Sequence, residues 1–274
     1  MPNKETCKTD IPEMMVVADI VNESKETKSF FFSQPLECKP GQFVMVWLPL
    51  VDEKPMAVSY WKKGEFAFTS HAIGKFTRAL DRLKKGGKLG IRGPYGNSFS
   101  DSKNASAIVG GGVGMASVST QIDALKSPVI INGARSKEHL IYLDRYKHKN
   151  MLITTDDGSF GKKGFATDVL QEVLSENKKI KKVYTCGPEI MMKKVFEACG
   201  KCGVECEASL ERYMACGFGV CGKCMINDRI ACCDGPIFNS KQLAELSEFG
   251  NFARLKSGRK VTIKEYHEIE RSKI

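Results

Sequence analysis

No stretch of the 274 residues is apolar for long enough to span a membrane, and the opening Met-Pro-Asn-Lys-Glu-Thr-Cys-Lys lacks the hydrophobic core of a secretion signal. Both absences point to a cytoplasmic chain with no membrane partner. Basic residues outnumber acidic ones by 42 to 32, a net charge of +10, yet the lysines are nowhere massed in one tract. No zinc-finger, RRM or KH signature accompanies them, so nucleic acid is not an expected partner. The excess reads as a solvated surface, or as a face that docks an acidic partner or a nucleotide. There are only four histidines (His71, His139, His148 and His267), and none stands at metal-ligand spacing. Internal repeats and low-complexity tracts are missing as well. What remains is ordinary globular composition, 42% hydrophobic and 27% charged, with length enough for two domains and a small third.

Cysteine is in good supply. Eleven of them in a chain without a secretion signal argue for thiols and metal ligands, not for a disulfide framework. Cys216, Cys221 and Cys224 follow a C-x4-C-x2-C spacing, and Cys232 comes shortly after. That opening spacing is the one plant-type [2Fe–2S] proteins use, where four thiolates hold two irons. Thiolates are soft donors suited to iron and sulfide. Gly217, Gly219 and Gly222, set between the ligands, let the backbone wrap closely and turn N–H groups towards sulfur. Four cysteines also suit a structural zinc, although zinc pairs are usually two C-x2-C units without interleaved glycine. Cys233 competes with Cys232 for the fourth position, and Cys232 is preferred. A second group, Cys199, Cys202 and Cys206, has neither a fourth partner nor glycine spacing and reads as free thiols, buried or half-exposed.

Upstream, residues 13–92 read as regularly spaced short strands: Met14–Val21, Lys28–Phe32, Gln42–Leu48, Met56–Tyr60, Glu65–Thr69 and Lys88–Ile91. Such spacing suggests an antiparallel barrel, interrupted by one helix over Lys75–Lys84. After Asn104 the pattern changes. Apolar strands at Ala105–Val109, Val129–Ile131, Met151–Thr154 and Val183–Thr185 alternate with helices. These carry Met115, Val118, Ile122 and Leu125, then Val169, Leu170, Val173 and Leu174, then Met191, Met192, Val195 and Phe196. Alternation of this kind means a parallel sheet wrapped by helices, a nucleotide-binding layout. The fold class is therefore multidomain, β plus α/β. Its expected parts are a barrel over residues 1–99, a Rossmann-like domain over 100–207 and a small cysteine domain over 208–274.

Gly110, Gly111, Gly112 and Gly114 lie between a strand and a helix, where they can admit a pyrophosphate to the helix N-terminus or form only a tight turn. Ser117 occupies the last glycine position of the usual motif. The acidic residue expected on a following strand is replaced by Asn132–Gly133–Ala134–Arg135, so NAD and NADP both stay open. Cys186–Gly187–Pro188 forms a second strand-end signal, read either as ligand edge or as packing. Gly74–Lys75–Phe76–Thr77 opens a helix, either as a diphosphate site or as an ordinary capped start. Arg92–Gly93–Pro94–Tyr95–Gly96–Asn97, read alone, is a turn.

Together these pieces resemble the ferredoxin–NADP-reductase superfamily, and within it the electron-transfer subunits of NAD-dependent (class 1B) dihydroorotate dehydrogenases. The motifs that carry the resemblance are Gly41–Val44, Ile91–Asn97, Val109–Gly114, Gly133–Arg135, Thr155–Ser159, Cys186–Pro188 and Leu210–Gly217 with Cys232–Phe238. The resemblance implies FAD in the barrel, at Lys54–Pro55–Met56–Ala57, at Thr69–Ser70–His71, and at Gly74, Phe76 and Thr77. This chain departs from the family's R-P-x-S motif twice. Lys54 replaces an arginine fork by a point charge, and Ala57 removes a hydroxyl. The resemblance further implies NAD at Gly110–Gly114 and Cys186–Pro188, and a [2Fe–2S] cluster on Cys216, Cys221, Cys224 and Cys232. The implied role is a relay in pyrimidine biosynthesis. Electrons leave the FMN of a separate dihydroorotate dehydrogenase catalytic subunit, in a heterotetramer with two copies of each, and reach NAD+ through cluster and FAD. No acid–base dyad or catalytic triad is expected. The rival readings are an electron-transfer subunit of a hydrogenase or ferredoxin:NADP oxidoreductase, a stand-alone NAD(P)H reductase, and a zinc-stabilised interaction module.

Overall fold

The computed structural model describes residues 11–271; the opening octapeptide and the end of the C-terminal tail lie outside them. The first half holds β1 (Glu13–Val16), β2 (Asp19–Ser24), β3 (Thr27–Phe32), β4 (Phe43–Leu48), β5 (Asp52–Lys62), β6 (Glu65–His71), α1 (Lys75–Asp81) and β7 (Lys88–Tyr95). Its seven strands form one antiparallel sheet in the order β1-β7-β4-β5-β6-β3-β2. Period-two alternation decides the inside. Phe30, Phe32, Val44, Val46, Phe66 and Phe68 are fully buried in one core with Leu80 of α1 and Leu89 of β7. Phe30 stacks on Phe68 at 5.3 Å and Phe32 on Phe66 at 4.9 Å between ring centroids. The segment expected as one strand, Met14–Val21, is two. Val17 N–H donates to the Gly87 carbonyl and Ala18 N–H to that of Phe31, both at 2.8 Å. The chain thus crosses from one edge of the sheet to the other between β1 and β2, which brings the two edges of the barrel together.

The second half alternates as expected: β8 (Ala105–Gly111), α2 (Gly114–Ala124), β9 (Val129–Ala134), β10 (Met151–Thr155), β11 (Lys162–Lys163), α3 (Ala166–Glu176), β12 (Ile180–Cys186), α4 (Glu189–Cys202) and β13 (Glu205–Ser209). The remainder is β14 (Met225–Ile226), β15 (Arg229–Ile230), β16 (Ile237–Asn239), α5 (Ser240–Glu245), β17 (Phe252–Arg254), β18 (Lys260–Thr262) and α6 (Ile263–Arg271). The larger sheet runs β11-β10-β9-β8-β12-β13-β16, parallel except for β16 at the edge. The helix faces read from periodicity are the buried ones: Met115, Val118 and Ile122 on α2, Val169, Leu170 and Leu174 on α3, Met192 and Val195 on α4.

Two seams join these parts. Thr69 Oγ1 of β6 lies 2.5 Å from the hydroxyl of Tyr142, which is itself buried in the second half, and Ser119 of α2 donates to the Ser59 carbonyl of β5 at 2.5 Å. At the other seam, Asn97 binds the chain just before β16. Its backbone N–H donates to Gly235 O at 2.7 Å, its amide nitrogen to Ile237 O at 2.8 Å, and its amide oxygen accepts Ile237 N–H at 2.9 Å. Of the expected turn 92–97, Arg92–Tyr95 in fact continue β7, paired to Met45 and Phe43 of β4, and only Gly96 and Asn97 leave the strand, Asn97 holding the cysteine segment against the barrel.

Candidate functional site

The cysteine loop is built on left-handed glycines. Gly217, Gly219 and Gly222 have φ of 86°, 90° and 66°, conformations that other residues rarely adopt. Burial alone would raise the Cys216 thiol. Hydrogen bonds from the backbone N–H groups of Cys221, Phe218 and Val220, with contact to the Cys221 side chain, outweigh it and bring it down to about 6. Gly219 N–H points to Cys232 Sγ at 3.2 Å. Cys224 and Cys232 are buried as neighbours. Burial first, then the Cys224 side chain, push the Cys232 thiol upward. The thiols thus stand as two pairs, Cys216 with Cys221 and Cys224 with Cys232. Thiols flanked by backbone donors would suit a [2Fe–2S] cluster, whose sulfur ligands accept such N–H groups.

The loop rests on the outer face of the barrel. Phe43 and Met45 of β4 share an apolar cluster with Cys224, Ala231 and Cys232, and a β-carbon on Gly217 would stand 2.8 Å from Met45 Cγ. Pro55 and Ala57 of the expected flavin motif are the direct cross-strand partners of Met45 and Phe43. Lys54 Nζ lies 5.9 Å from the ring centroids of both Phe76 and Tyr213. One lysine therefore joins the flavin motif, the start of α1 and the run into the cysteine loop. Beside it, Arg92 grips Glu53 through two bonds of 2.7 and 2.6 Å and covers the Phe218 ring at 5.5 Å. The Ile73 and Gly74 N–H groups are capped by Thr77 Oγ1 at 3.0 and 2.9 Å, and the space over Gly74 is open. Of the expected strand edge, Thr69 is turned to Tyr142 and His71 Nδ1 to Thr27. Ser70 Oγ is buried with no partner, an orphan that a hydrogen-bonding flavin suits.

The two nucleotide signals meet. β8 and β12 are adjacent parallel strands with Gly110 opposite Cys186, and the sheet order reverses there, β9 lying to one side and β12 to the other. That is the crevice where open α/β sheets take ligands. A β-carbon on Gly114 would stand 2.6 Å from the Cys186 carbonyl, and one on Gly111 2.9 Å from Pro188 Cδ. Gly187 has φ 156°, Gly112 has φ 54°, and the space over Gly112 is open. Cys186 is fully buried, and burial pushes its thiol up to about 12, so it serves as packing and not as a thiolate. Thr185 Oγ1, just before it, is buried and unpartnered. The acidic group missing after β9 stands at the end of β10. Asp156 N–H donates to Ala134 O at 3.0 Å and Asp157 N–H to Arg135 O at 3.2 Å, which sets the backbone of two exposed acidic residues beside Ala134 and Arg135; the Asp157 carboxylate accepts the Ser159 N–H at 2.9 Å and the Ser159 hydroxyl at 2.6 Å. The neighbouring ends of β9 and β10 are brought side by side by the sheet order, which the chain order does not show.

Fold and site together define a class: a reductase-type oxidoreductase, barrel followed by nucleotide domain, with an iron–sulfur segment at the end. Residues 211–244 match the iron-sulfur cluster binding domain of dihydroorotate dehydrogenase B. A Methanocaldococcus jannaschii protein named "Probable dihydroorotate dehydrogenase B (NAD(+)), electron transfer subunit" is 42% identical over 257 residues, covering 91% of this chain and 98% of its own. A Pyrococcus horikoshii protein of the same name is 43% identical, covering 86% and 93%. The chain belongs to the family of dihydroorotate dehydrogenase B electron-transfer subunits. Among solved structures, that of an NADH-dependent reduced ferredoxin-NADP oxidoreductase superposes with a TM-score of 0.76 at 30% identity, covering 86% of this chain and 92% of that one. Phthalate dioxygenase reductase, at TM-score 0.58 and 19% identity, shares the fold.

Proposed function

We propose that this chain is the electron-transfer subunit of an NAD-dependent dihydroorotate dehydrogenase, carrying electrons from the FMN of a catalytic subunit to NAD+ in pyrimidine biosynthesis. When bound, a [2Fe–2S] cluster carries single electrons, FAD converts between one and two, and NAD accepts a hydride. Cys216, Cys221, Cys224 and Cys232 hold the cluster. Lys54–Ala57, Thr69–His71, Gly74, Phe76 and Thr77 bind FAD, and Gly110–Gly112, Gly114 and Cys186–Pro188 bind NAD. A division at 99/100 and a two-plus-two assembly accompany this reading; the expected division at 207/208 falls inside β13, so the cysteine segment begins after Ser209 and returns β16 to the edge of the nucleotide sheet. The observation that carries it is the adjacency of two of the sites: the thiols pack with Phe43 and Met45 of β4, whose cross-strand partners on β5 are Ala57 and Pro55 of the flavin motif. Short separations are what single-electron passage needs, and the chain's work is to hold its carriers at them.

Asp156 and Asp157 select NAD. A ribose diol is hydrogen-bonded by a carboxylate, whereas a 2′-phosphate is repelled by two of them. Replacing both by asparagine is expected to raise the use of NADPH relative to NADH; an unaltered ratio removes this assignment. The relay itself is tested by anaerobic purification with its visible spectrum, then by adding NADH. Flavin and iron–sulfur absorbance that both bleach are expected. A colourless chain, or colour that NADH leaves untouched, overturns it. The likeness to the ferredoxin-NADP oxidoreductase favours a second reading with another electron partner. Copurification with a dihydroorotate-oxidising subunit separates the two.

A further inference from the structure

We propose that the cluster site has a fifth thiol: Cys233 is a standby ligand that can take over the iron held by Cys232. This rests on the assignment of Cys216, Cys221, Cys224 and Cys232 as cluster ligands. Adjacent residues of an extended strand point to opposite sides, so ordinarily only one of two consecutive cysteines could face the loop. Here the backbone is folded tightly instead. The N–H groups of Cys233 and Asp234 both donate to the Ile230 carbonyl, at 2.9 and 2.8 Å, and the Asp234 carboxylate accepts Ile230 N–H at 2.6 Å. The result is that both sulfurs lie on one residue of the cysteine loop. Cys232 Sγ accepts the Gly219 N–H at 3.2 Å. Cys233 Sγ lies over the same glycine, where an added β-carbon would be 2.6 Å away.

The two thiols differ in exposure. Cys232 is 2% exposed, whereas Cys233 is open to solvent. Burial makes Cys232 the resident ligand, and Cys233 stands beside it at the solvent edge of the loop. The exchange is a ligand substitution. The bond from iron to Cys232 sulfur breaks and that sulfur takes a proton. Cys233 sulfur gives up a proton and forms the new bond, with no electron gained or lost. Such a reserve would matter most where the loop meets solvent, around the exposed Cys221, Phe218 and Val220.

The test compares four full-length chains loaded anaerobically with iron and sulfide: wild type, Cys232→Ala, Cys233→Ala and the double variant. Alanine is used because serine oxygen can itself bind iron. Iron and acid-labile sulfide per chain are measured, with circular dichroism as the check on folding. A folded Cys232→Ala chain that keeps most of the wild-type iron, with a shifted electron-paramagnetic signal after reduction, is expected, as is an empty double variant. A folded Cys232→Ala chain without iron, or a double variant that keeps it, overturns the proposal. If Cys232→Ala does not fold, loss of visible absorbance in an iron chelator is compared between wild type and Cys233→Ala. Several-fold faster loss from the variant is expected, and equal rates overturn the idea. A wild-type chain that takes up no iron overturns the cluster assignment as well, and so is told apart from failure of this proposal alone.

Discussion

Two groups of cysteines lie a few residues apart in this chain and behave oppositely. Cys199 and Cys206 touch each other between α4 and β13, both fully buried, and Cys206 is pushed well above its usual range, first by its contact with Cys199 and then by burial. The Cys206 N–H donates to the Ser240 hydroxyl at 2.7 Å, and Cys199 lies inside α4, so the backbone N–H groups here serve regular structure and its neighbours. Cys216 and its partners sit on a loop whose glycines turn N–H groups to sulfur instead. The difference shows that spacing alone does not make a ligand set. Free backbone donors do, and regular secondary structure has none to spare.

The largest effect should come from the loop. Cys221→Ala is expected to abolish iron and sulfide content, measured by metal analysis, and with it electron flow to the nicotinamide. Cluster retention equal to wild type would erase the contrast. Next comes Gly219→Ala. Its left-handed backbone costs about 1–2 kcal/mol with a β-carbon present, and that atom also collides with Cys233 Sγ. The expected readout is a lowered iron content together with a lowered melting temperature.

The buried pair should answer differently. Cys206→Ala leaves a cavity among packed side chains and is expected to cost about 1–2 kcal/mol in denaturant unfolding, with iron content unchanged. Loss of iron there would mean that the second group shares in the site. The smallest effect is expected at Gly200, inside α4, where an added β-carbon meets nothing within 4 Å. Gly200→Ala should stabilise by about 0.5–1 kcal/mol, the reverse of Gly219→Ala, because a helical glycine only adds disorder to the unfolded chain.

Much of this was legible in the residues. The barrel strands show in alternation, the helices in their apolar faces, and the cysteine loop in glycines placed between thiols. What was not legible has physical reasons. Met14–Val21 is apolar but for Asp19, and the bend at Val17 and Ala18 is marked by their hydrogen bonds to Gly87 and Phe31, distant along the chain. β13, Glu-Cys-Glu-Ala-Ser, alternates polar and apolar residues but has no β-branched or aromatic side chain, and it is extended because β12 and β16 pair with it on either side. α1 ends at Asp81, earlier than its apolar spacing reaches, since Leu83 packs on the barrel core from outside the helix. The stretch 92–97 shows its role only when Asn97 is seen bonded to residues 235–237.

The sequence by itself determined the carriers: which sulfurs are available, which loops are glycine-rich, and which segments alternate as strand or helix. These are local choices, set by backbone freedom and by the period of apolar side chains. Only the tertiary structure decided the pairing of thiols, the meeting of Gly114 with Cys186, the acidic residues beside Arg135, and the seat of the cysteine loop on β4. Each of these joins residues distant along the chain, and such contacts depend on which faces pack together, a matter that no short window of residues contains.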